Sequence, residues 1–218
     1  MRMRGKKAFF VLGATVLAVG AASVAPAAAD PTGARGPVEF KVEVAGVAGS
    51  GCPAGTVATA VRDDGTFRIV YGAYTAQAGG SSRPVDAHKN CQAFLRVTAP
   101  QDVTYAISSS YHPIYARLEN GANATLKFSY YFEGLPWNGM VTRTLNGAYD
   151  DEWRIAYEEP ADRLLFQPCG ERRRLVLNTE LRIDKGTSDP SKTDFITMDS
   201  LSDGPVIFYR LTWKNCPR

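Results

Sequence analysis

The sequence predicts an all-β fold, a two-sheet antiparallel sandwich or jelly roll stabilised by disulfides, and three observations point there. Apolar residues alternate with polar ones over short runs. Turn residues punctuate these runs at regular spacing, and no run carries the 3.6-residue apolar stripe of a helix. Short strands of this kind bury one face each, so two sheets packed face to face satisfy them all.

The elements follow in order. Val38, Phe40, Val42 and Val44 alternate with Glu39, Lys41 and Glu43, a strand with one wet face. Thr56–Val61 and Phe67–Tyr71 flank Asp63-Asp64-Gly65, a hairpin turn. Cys91–Val97, Val103–Ser108, Tyr115–Leu118 and Ala124–Phe132 continue the series, the last two joined by Asn120-Gly121-Ala122-Asn123, and His112-Pro113 reads as a turn. Met140–Leu145, Trp153–Tyr157, Leu164–Gln167, Leu175–Ile183, Asp194–Met198 and Val206–Trp213 complete the expected strands.

Ahead of the strands stands an export leader. Arg2, Arg4, Lys6 and Lys7 precede an uncharged apolar run from Ala8 to about Val24, and Ala27 and Ala29 supply the small residues that signal peptidase accepts. Residues 1–29 are therefore expected to be a signal peptide cleaved after Ala29, 30–37 a flexible leader with two prolines, and 38–218 one secreted domain. The alanine-rich leader has a bacterial look, which argues against use of the glycosylation pattern at Asn123-Ala124-Thr125. Four of the 25 Lys and Arg residues lie in the leader, so 21 face 22 acids in the exported part. Near-neutral charge argues against nucleic acid or anionic membrane as partner. Arg172, Arg173 and Arg174, flanked by Glu171 and Glu180, read as a solvated strand start.

Cys52, Cys91, Cys169 and Cys216 all follow the leader, and an even number in an oxidising compartment implies two disulfides. Three pairings are formally possible. Spacing favours Cys52–Cys91 with Cys169–Cys216, each closing a loop within one half of the chain and stabilising it by about 4 kcal/mol. A metal cage is disfavoured, because the chain has no Cys-x-x-Cys pair and two histidines. No cofactor is expected.

Several motifs invite chemical readings. Gly49-Ser50-Gly51-Cys52-Pro53-Ala54-Gly55 resembles a phosphate loop in composition, but no Lys-Ser/Thr or helix follows, so a glycine-rich turn bearing a disulfide is expected. His88 and His112 are expected at the surface, and no Gly-x-Ser-x-Gly elbow appears. Asp150, Asp151, Glu152, Glu158 and Glu159 are candidate acids for glycoside hydrolysis, which needs two carboxyls about 5 to 9.5 Å apart. Asp184, Asp189, Asp194, Asp199 and Asp203 could supply oxygens to calcium, although such acids commonly cap turns.

The motif string Gly49–Thr56, Lys89-Asn90-Cys91-Gln92, Ser129-Tyr130-Tyr131-Phe132, Pro168-Cys169-Gly170, Leu177–Arg182, Gly186–Pro190, Thr197–Ser200 and Trp213-Lys214-Asn215-Cys216 resembles the secreted family called domain of unknown function 4360. The resemblance runs in order over the whole exported chain. It implies small, exported, cysteine-bearing single-domain proteins, and it brings no catalytic or binding residues with it.

Function is read from the aromatic residues: ten Tyr and three Trp follow the leader. If Phe128, Tyr130 and Phe132 face the core, Tyr131 must face outward, and Trp137 lies in the turn-like Gly134-Leu135-Pro136-Trp137-Asn138-Gly139. These two rings are the candidate ligand-binding residues of a monomeric, non-catalytic module for extracellular polysaccharide or cell envelope. The alternatives are a protein-binding factor such as an inhibitor, recognisable by a long exposed loop pinned by a disulfide, and a carboxylate-dependent extracellular hydrolase.

Overall fold

The structure, a computed structural model, describes residues 39–137, 139–198 and 206–217. The expected cleavage site, the 30–37 leader, Asp199 and Asp203 lie outside the described residues. Twelve strands are described: β1 Lys41–Ala48, β2 Val57–Val61, β3 Thr66–Tyr71, β4 Thr75–Ala78, β5 His88–Thr98, β6 Val103–Leu118, β7 Asn123–Phe132, β8 Val141–Asn146, β9 Tyr149–Glu158, β10 Leu175–Asp184, β11 Asp194–Thr197 and β12 Ile207–Asn215. Helix among the described residues is limited to 3-10 turns at Pro84–Ala87 and Ala161–Arg163.

All pairings are antiparallel. One sheet runs β1-β5-β10-β7-β8, and the other runs β2-β3-β12-β6-β11-β4, with β9 on the opposite edge of β6. Alternation does what the pattern promised: in β7, Ala124, Leu126, Phe128, Tyr130 and Phe132 are buried. Inward rings interlock across the sheets. Tyr105 meets Phe132 edge-on at 5.5 Å, His112 stacks on Phe128 at 4.3 Å, and Tyr74 Oη lies 3.1 Å from Thr179 Oγ1.

The bridges are Cys52–Cys91 and Cys169–Cys216, with Cα separations of 5.5 and 5.7 Å. The first pins the glycine-rich turn to β5, where Gly51 N–H also donates to Asn90 C=O at 2.8 Å. A Cβ on Gly51 would sit 2.1 Å from the Tyr74 ring, so the turn can lie this close to the core only without one. The turn leads into a strand, so it offers no helix N-terminus to a phosphate.

Three expectations need correction. The turn at His112-Pro113 does not exist: β6 runs unbroken through it, and the alternation places His112 fully buried on the inner face rather than at the surface. The proline fits because the partner on one edge of β6 changes from β12 at Tyr111 to β11 at Tyr115, leaving a gap in the described ladder where no N–H is needed. Leu164–Gln167 is not a strand. It lies along the edge of β6 with one backbone bond, Gln167 N–H to Tyr105 C=O at 3.0 Å, and Lys214 Nζ sits 3.9 Å above the Phe166 ring. The short strand β4, Thr-Ala-Gln-Ala, was not expected, because it lacks both length and β-branched bulk.

The two lateral sides of the sandwich differ. At one, edge strands β1 and β2 meet, and Thr59 Oγ1 donates across them to Val42 C=O at 2.8 Å. At the other, β8 and β9 leave the turn at Gly147-Ala148 as a split hairpin whose arms do not pair with each other, β8 joining β7 in one sheet and β9 joining β6 in the other. The hairpin tip presses on the turn between β6 and β7: Gly147 N–H donates to Ala122 C=O at 2.9 Å, and a Cβ there would lie 2.0 Å from the Glu119 carbonyl oxygen.

Candidate functional site

Away from its tip the split hairpin opens into a crevice of about 130 Å³. Its walls are Met140 and Val141 on the β8 side and Tyr157, Glu159 and Arg163 on the β9 side, with Phe128 and Tyr130 of β7 between them. Splitting the hairpin is what brings side chains of the two sheets to one opening.

The polar groups converge on Glu159. The Tyr130 hydroxyl lies 3.0 Å from both Glu159 Oε2 and the Ile107 carbonyl, and the Tyr157 hydroxyl donates to the same Oε2 at 3.4 Å. Burial, and then the charge of Glu159, push the Tyr157 phenol above its ordinary range, so it stays a donor at physiological pH. Phe128 meets the Tyr157 ring edge-on at 5.6 Å. Behind Phe128 lies His112, whose Nε2 is 3.0 Å from Ser110 Oγ while Nδ1 has no hydrogen-bond partner among the described residues. Burial pulls this imidazole down to about 3, so it is neutral at pH 7.

The rim belongs to the loop between β7 and β8. Trp137 is 52% exposed and Met140 37%. The root of the loop is fixed: both Glu133 carboxylate oxygens take hydrogen bonds from Arg174, Nε at 2.7 Å, and Arg173 Nη1 donates to the Glu133 carbonyl at 2.8 Å. Arg174 also lies over the Phe94 ring at 5.1 Å, and Arg173 pairs with Glu171. These arginines hold structure in place and do not form a free anion site.

Tyr131 faces outward while Phe128, Tyr130 and Phe132 face the core. It is half-buried opposite Val176, which is in turn opposite Phe94. Trp137 sits on the crevice loop. Among the described residues no ring contact joins Tyr131 to Trp137, and Tyr131 does not line the crevice. Sequence reasoning singled out Glu159 only as one acid of five and missed Tyr157, Arg163 and Met140. The proximity of Met140 to Trp137 in a Gly- and Pro-bearing loop was the available signal.

The other candidate acids are engaged in ion pairs or lie apart from Glu159. Asp150 accepts from the Tyr115 hydroxyl and pairs with Arg117 at 3.2 Å, and Glu152 pairs with Arg154 at 2.5 Å. Asp150 lies near the start of β9 and Glu159 just past its end, about 30 Å apart along an extended strand. Adjacent Glu158 and Glu159 point to opposite sides of the chain.

The acids proposed for calcium have other roles. Asp194 is fully buried, and its oxygens accept from Lys185 Nζ at 2.7 Å, Ser188 Oγ at 3.1 Å and Glu119 N–H at 2.6 Å. The remaining Lys185 protons go to the carbonyls of Asp189 and Lys192, at 2.7 and 2.9 Å. A lysine ammonium thus stands where a cation's oxygen cage was expected. Asp184 and Asp189 cap turns, accepting from Gly186 N–H and Ser191 N–H. Among the described residues no group of three or more His, Cys, Asp or Glu is placed to hold a metal. His88 is exposed, with Nε2 3.2 Å from Glu180 Oε1, and Asn123 opens β7.

The family model described as Domain of unknown function (DUF4360) matches residues 38–216, a span that takes in all four cysteines and the whole crevice. An "uncharacterized secreted protein" of the fungus Arthroderma benhamiae is 28% identical over 190 residues, covering 86% of this chain and 77% of that protein. The relative is fungal, so it lends no support to a bacterial origin. No helix among the described residues is long and apolar enough to cross a membrane. The protein is secreted, and it belongs to the DUF4360 family.

Proposed function

We propose that this secreted protein is a monomeric, non-catalytic binding module for an extracellular polysaccharide, engaged at the split β8–β9 side without a cofactor, nucleic acid or membrane. One observation carries the reading: a rooted loop that bears the exposed Trp137 continues into Gly139 and Met140 at the wall of a crevice where two tyrosine hydroxyls, a carboxylate and a guanidinium meet apolar side chains. Flat rings take the C–H faces of sugars at low entropic cost, and the carboxylate and guanidinium accept from and donate to their hydroxyls. The crevice volume of about 130 Å³ is well below the ~300 Å³ of a site that engulfs a whole small ligand. It suits one unit of a chain whose remainder lies outside, across Trp137.

Retention on insoluble cell-wall polysaccharide tests this reading. Trp137→Ala, and separately Glu159→Gln, should abolish retention while moving the melting temperature by less than about 4 °C, the shift that ~1 kcal/mol causes in a domain of this size. Wild-type retention by the folded variants, or unfolding of Trp137→Ala, would overturn it. Among the described residues, Asp150 and Glu152, candidate acids of the hydrolase alternative that share a face, are each held by an arginine, Arg117 and Arg154. The protein-binding alternative would draw on the segment 159–174, which Cys169–Cys216 pins and whose Gln167 is fastened to β6 by Thr104 Oγ1 and the Tyr105 carbonyl.

A further inference from the structure

The solvent face of the seven-stranded sheet carries a line of rings that the crevice does not use. Tyr111, Pro113 and Tyr115 are alternate residues of β6 and share its outer side, because the residues between them, His112 and Ile114, are buried in the core. Phe208 of β12 lies directly opposite Tyr111, and Phe195 of β11 stacks on Tyr115 with centroids 5.9 Å apart at 29°. Tyr115 is 37% exposed, Tyr111, Phe195 and Phe208 are half-buried, and Pro113 is the covered centre of the line. From Tyr111 to Tyr115 the line runs about 13 Å along one straight strand.

Such a face is not the general habit of this fold. The outer side of the five-stranded sheet carries one apolar row, Phe94–Val176–Tyr131, with Arg174 over its Phe94 end, and otherwise the polar rows Gln92–Asn178–Ser129, Asn90–Glu180–Lys127 and His88–Arg182–Thr125. A contiguous run of rings on a solvent face marks an interaction site more often than a lone exposed ring does.

Charge tells what kind of partner fits. Beside the rings, Arg117 pairs with Asp150 and Arg154 with Glu152, while Arg62 lies over the Phe208 ring at 5.2 Å and 3.7 Å from Asp64. Among the described residues, Arg68, opposite Phe208, and Arg210, two residues along β12, have no ion-pair partner, Arg210 donating to the Asp64 carbonyl. Two uncompensated cations are far short of the roughly 6–10 phosphate contacts of a nucleic-acid site. A face that is ring-lined, flanked by carboxylates and guanidinia, and close to electrically balanced is complementary to a neutral polyhydroxylated chain.

We propose that the Phe208–Tyr111–Tyr115–Phe195 line is a second binding surface, for an extended neutral polysaccharide whose rings lie on Tyr111 and Tyr115 while its hydroxyls meet Glu152 and Arg154. The surface lies outside β9, and the crevice lies inside it, so the two are separable by mutation.

Affinity electrophoresis through gels containing a soluble β-glucan, a mannan or, as the anionic control, polygalacturonate tests the proposal. The wild type should be retarded by a neutral polymer and not by the anionic one. Tyr111→Thr/Tyr115→Thr, which keeps strand-favouring residues, should weaken that retardation at least tenfold, and Tyr111→Phe/Tyr115→Phe should retain it. Should the threonine variant fail to fold, nitration of the wild type decides: the bound polymer must protect Tyr115. Retardation by neither neutral polymer, preference for the anionic one, undiminished binding by the folded threonine variant, or an unprotected Tyr115 in the bound state each overturns it. A folded threonine variant that changes only from dimer to monomer also overturns it, by naming a second copy as the occupant. Loss of binding on Trp137→Ala with full binding by the threonine variant supports the crevice reading and overturns this one, whereas the reverse pattern supports this surface alone.

Discussion

Of the two lateral sides of this sandwich, one is laced and one is split. On the laced side β1 and β2 meet edge to edge, the intervening turn is clamped to β5 by Cys52–Cys91, and Gly51 lets that turn lie on Tyr74. On the split side the β8–β9 hairpin divides between the sheets, and core rings Phe128 and Tyr130 come within reach of the surface. The same alternating pattern builds both sides. A crosslinked connection that returns over the core closes an edge, while a hairpin shared between two sheets leaves one open to a ligand.

Breaking the laced side should have the largest effect. Cys52→Ser/Cys91→Ser releases a loop of 39 residues in sequence separation, which by the chain-entropy model costs about 4 kcal/mol, a large share of the 5–15 kcal/mol typical of a domain. Urea unfolding measures it, and a loss below about 1 kcal/mol would show that the clamp is not what closes this side.

The anchor at the hairpin tip should come next. Lys185→Met leaves Asp194 buried without its cation, beside the Glu119 turn on which Gly147 rests. The expected loss is about 3 kcal/mol, and calcium should not restore it. Recovery of stability with millimolar calcium would mean that this oxygen cage accepts a metal after all.

Acid should have a smaller effect, acting on the floor of the split side. His112 is held at about 3 by burial, whereas an unfolded histidine titrates near 6.5. Between these values the unfolded chain binds a proton that the folded protein does not, so this group's contribution to stability is complete above pH 6.5 and falls with falling pH by about 1.4 kcal/mol per unit. Between pH 7 and pH 5 the loss from His112 is about 2 kcal/mol. Parallel urea titrations of wild type and His112→Phe should diverge by that amount, and equal slopes would show that the imidazole is not desolvated.

Much of the laced side was legible in sequence, and much of the split side was not. Period-two alternation located β1, β2, β3, β5 and β7 to within a few residues, and it dictated that Tyr131 point outward once Phe128, Tyr130 and Phe132 pointed in. Cysteine spacing sufficed for the bridges because each joins segments that are close in the chain. Pro113 misled, since a proline usually ends a strand and here occupies a gap between two partners of β6; His112 was misplaced with it. Leu164-Leu165-Phe166 is apolar because the segment packs down on β6, a reason that periodicity cannot separate from strand pairing. Acids recurring every five residues suggested calcium, and only the fold brings Lys185 to Asp194. The crevice draws on β7, the loop after it, β9 and the turn beyond, so its existence depends on how the hairpin splits, which no local pattern encodes.

Hydrogen–deuterium exchange of the wild type, with and without a soluble cell-wall polysaccharide that it retains, tests most directly whether the split side is the binding side. New protection is expected in residues 133–141 and 155–163 with β1, β2 and β5 unchanged. Protection confined to β1, β2 and β5, with the split side exchanging as in the free protein, would contradict it.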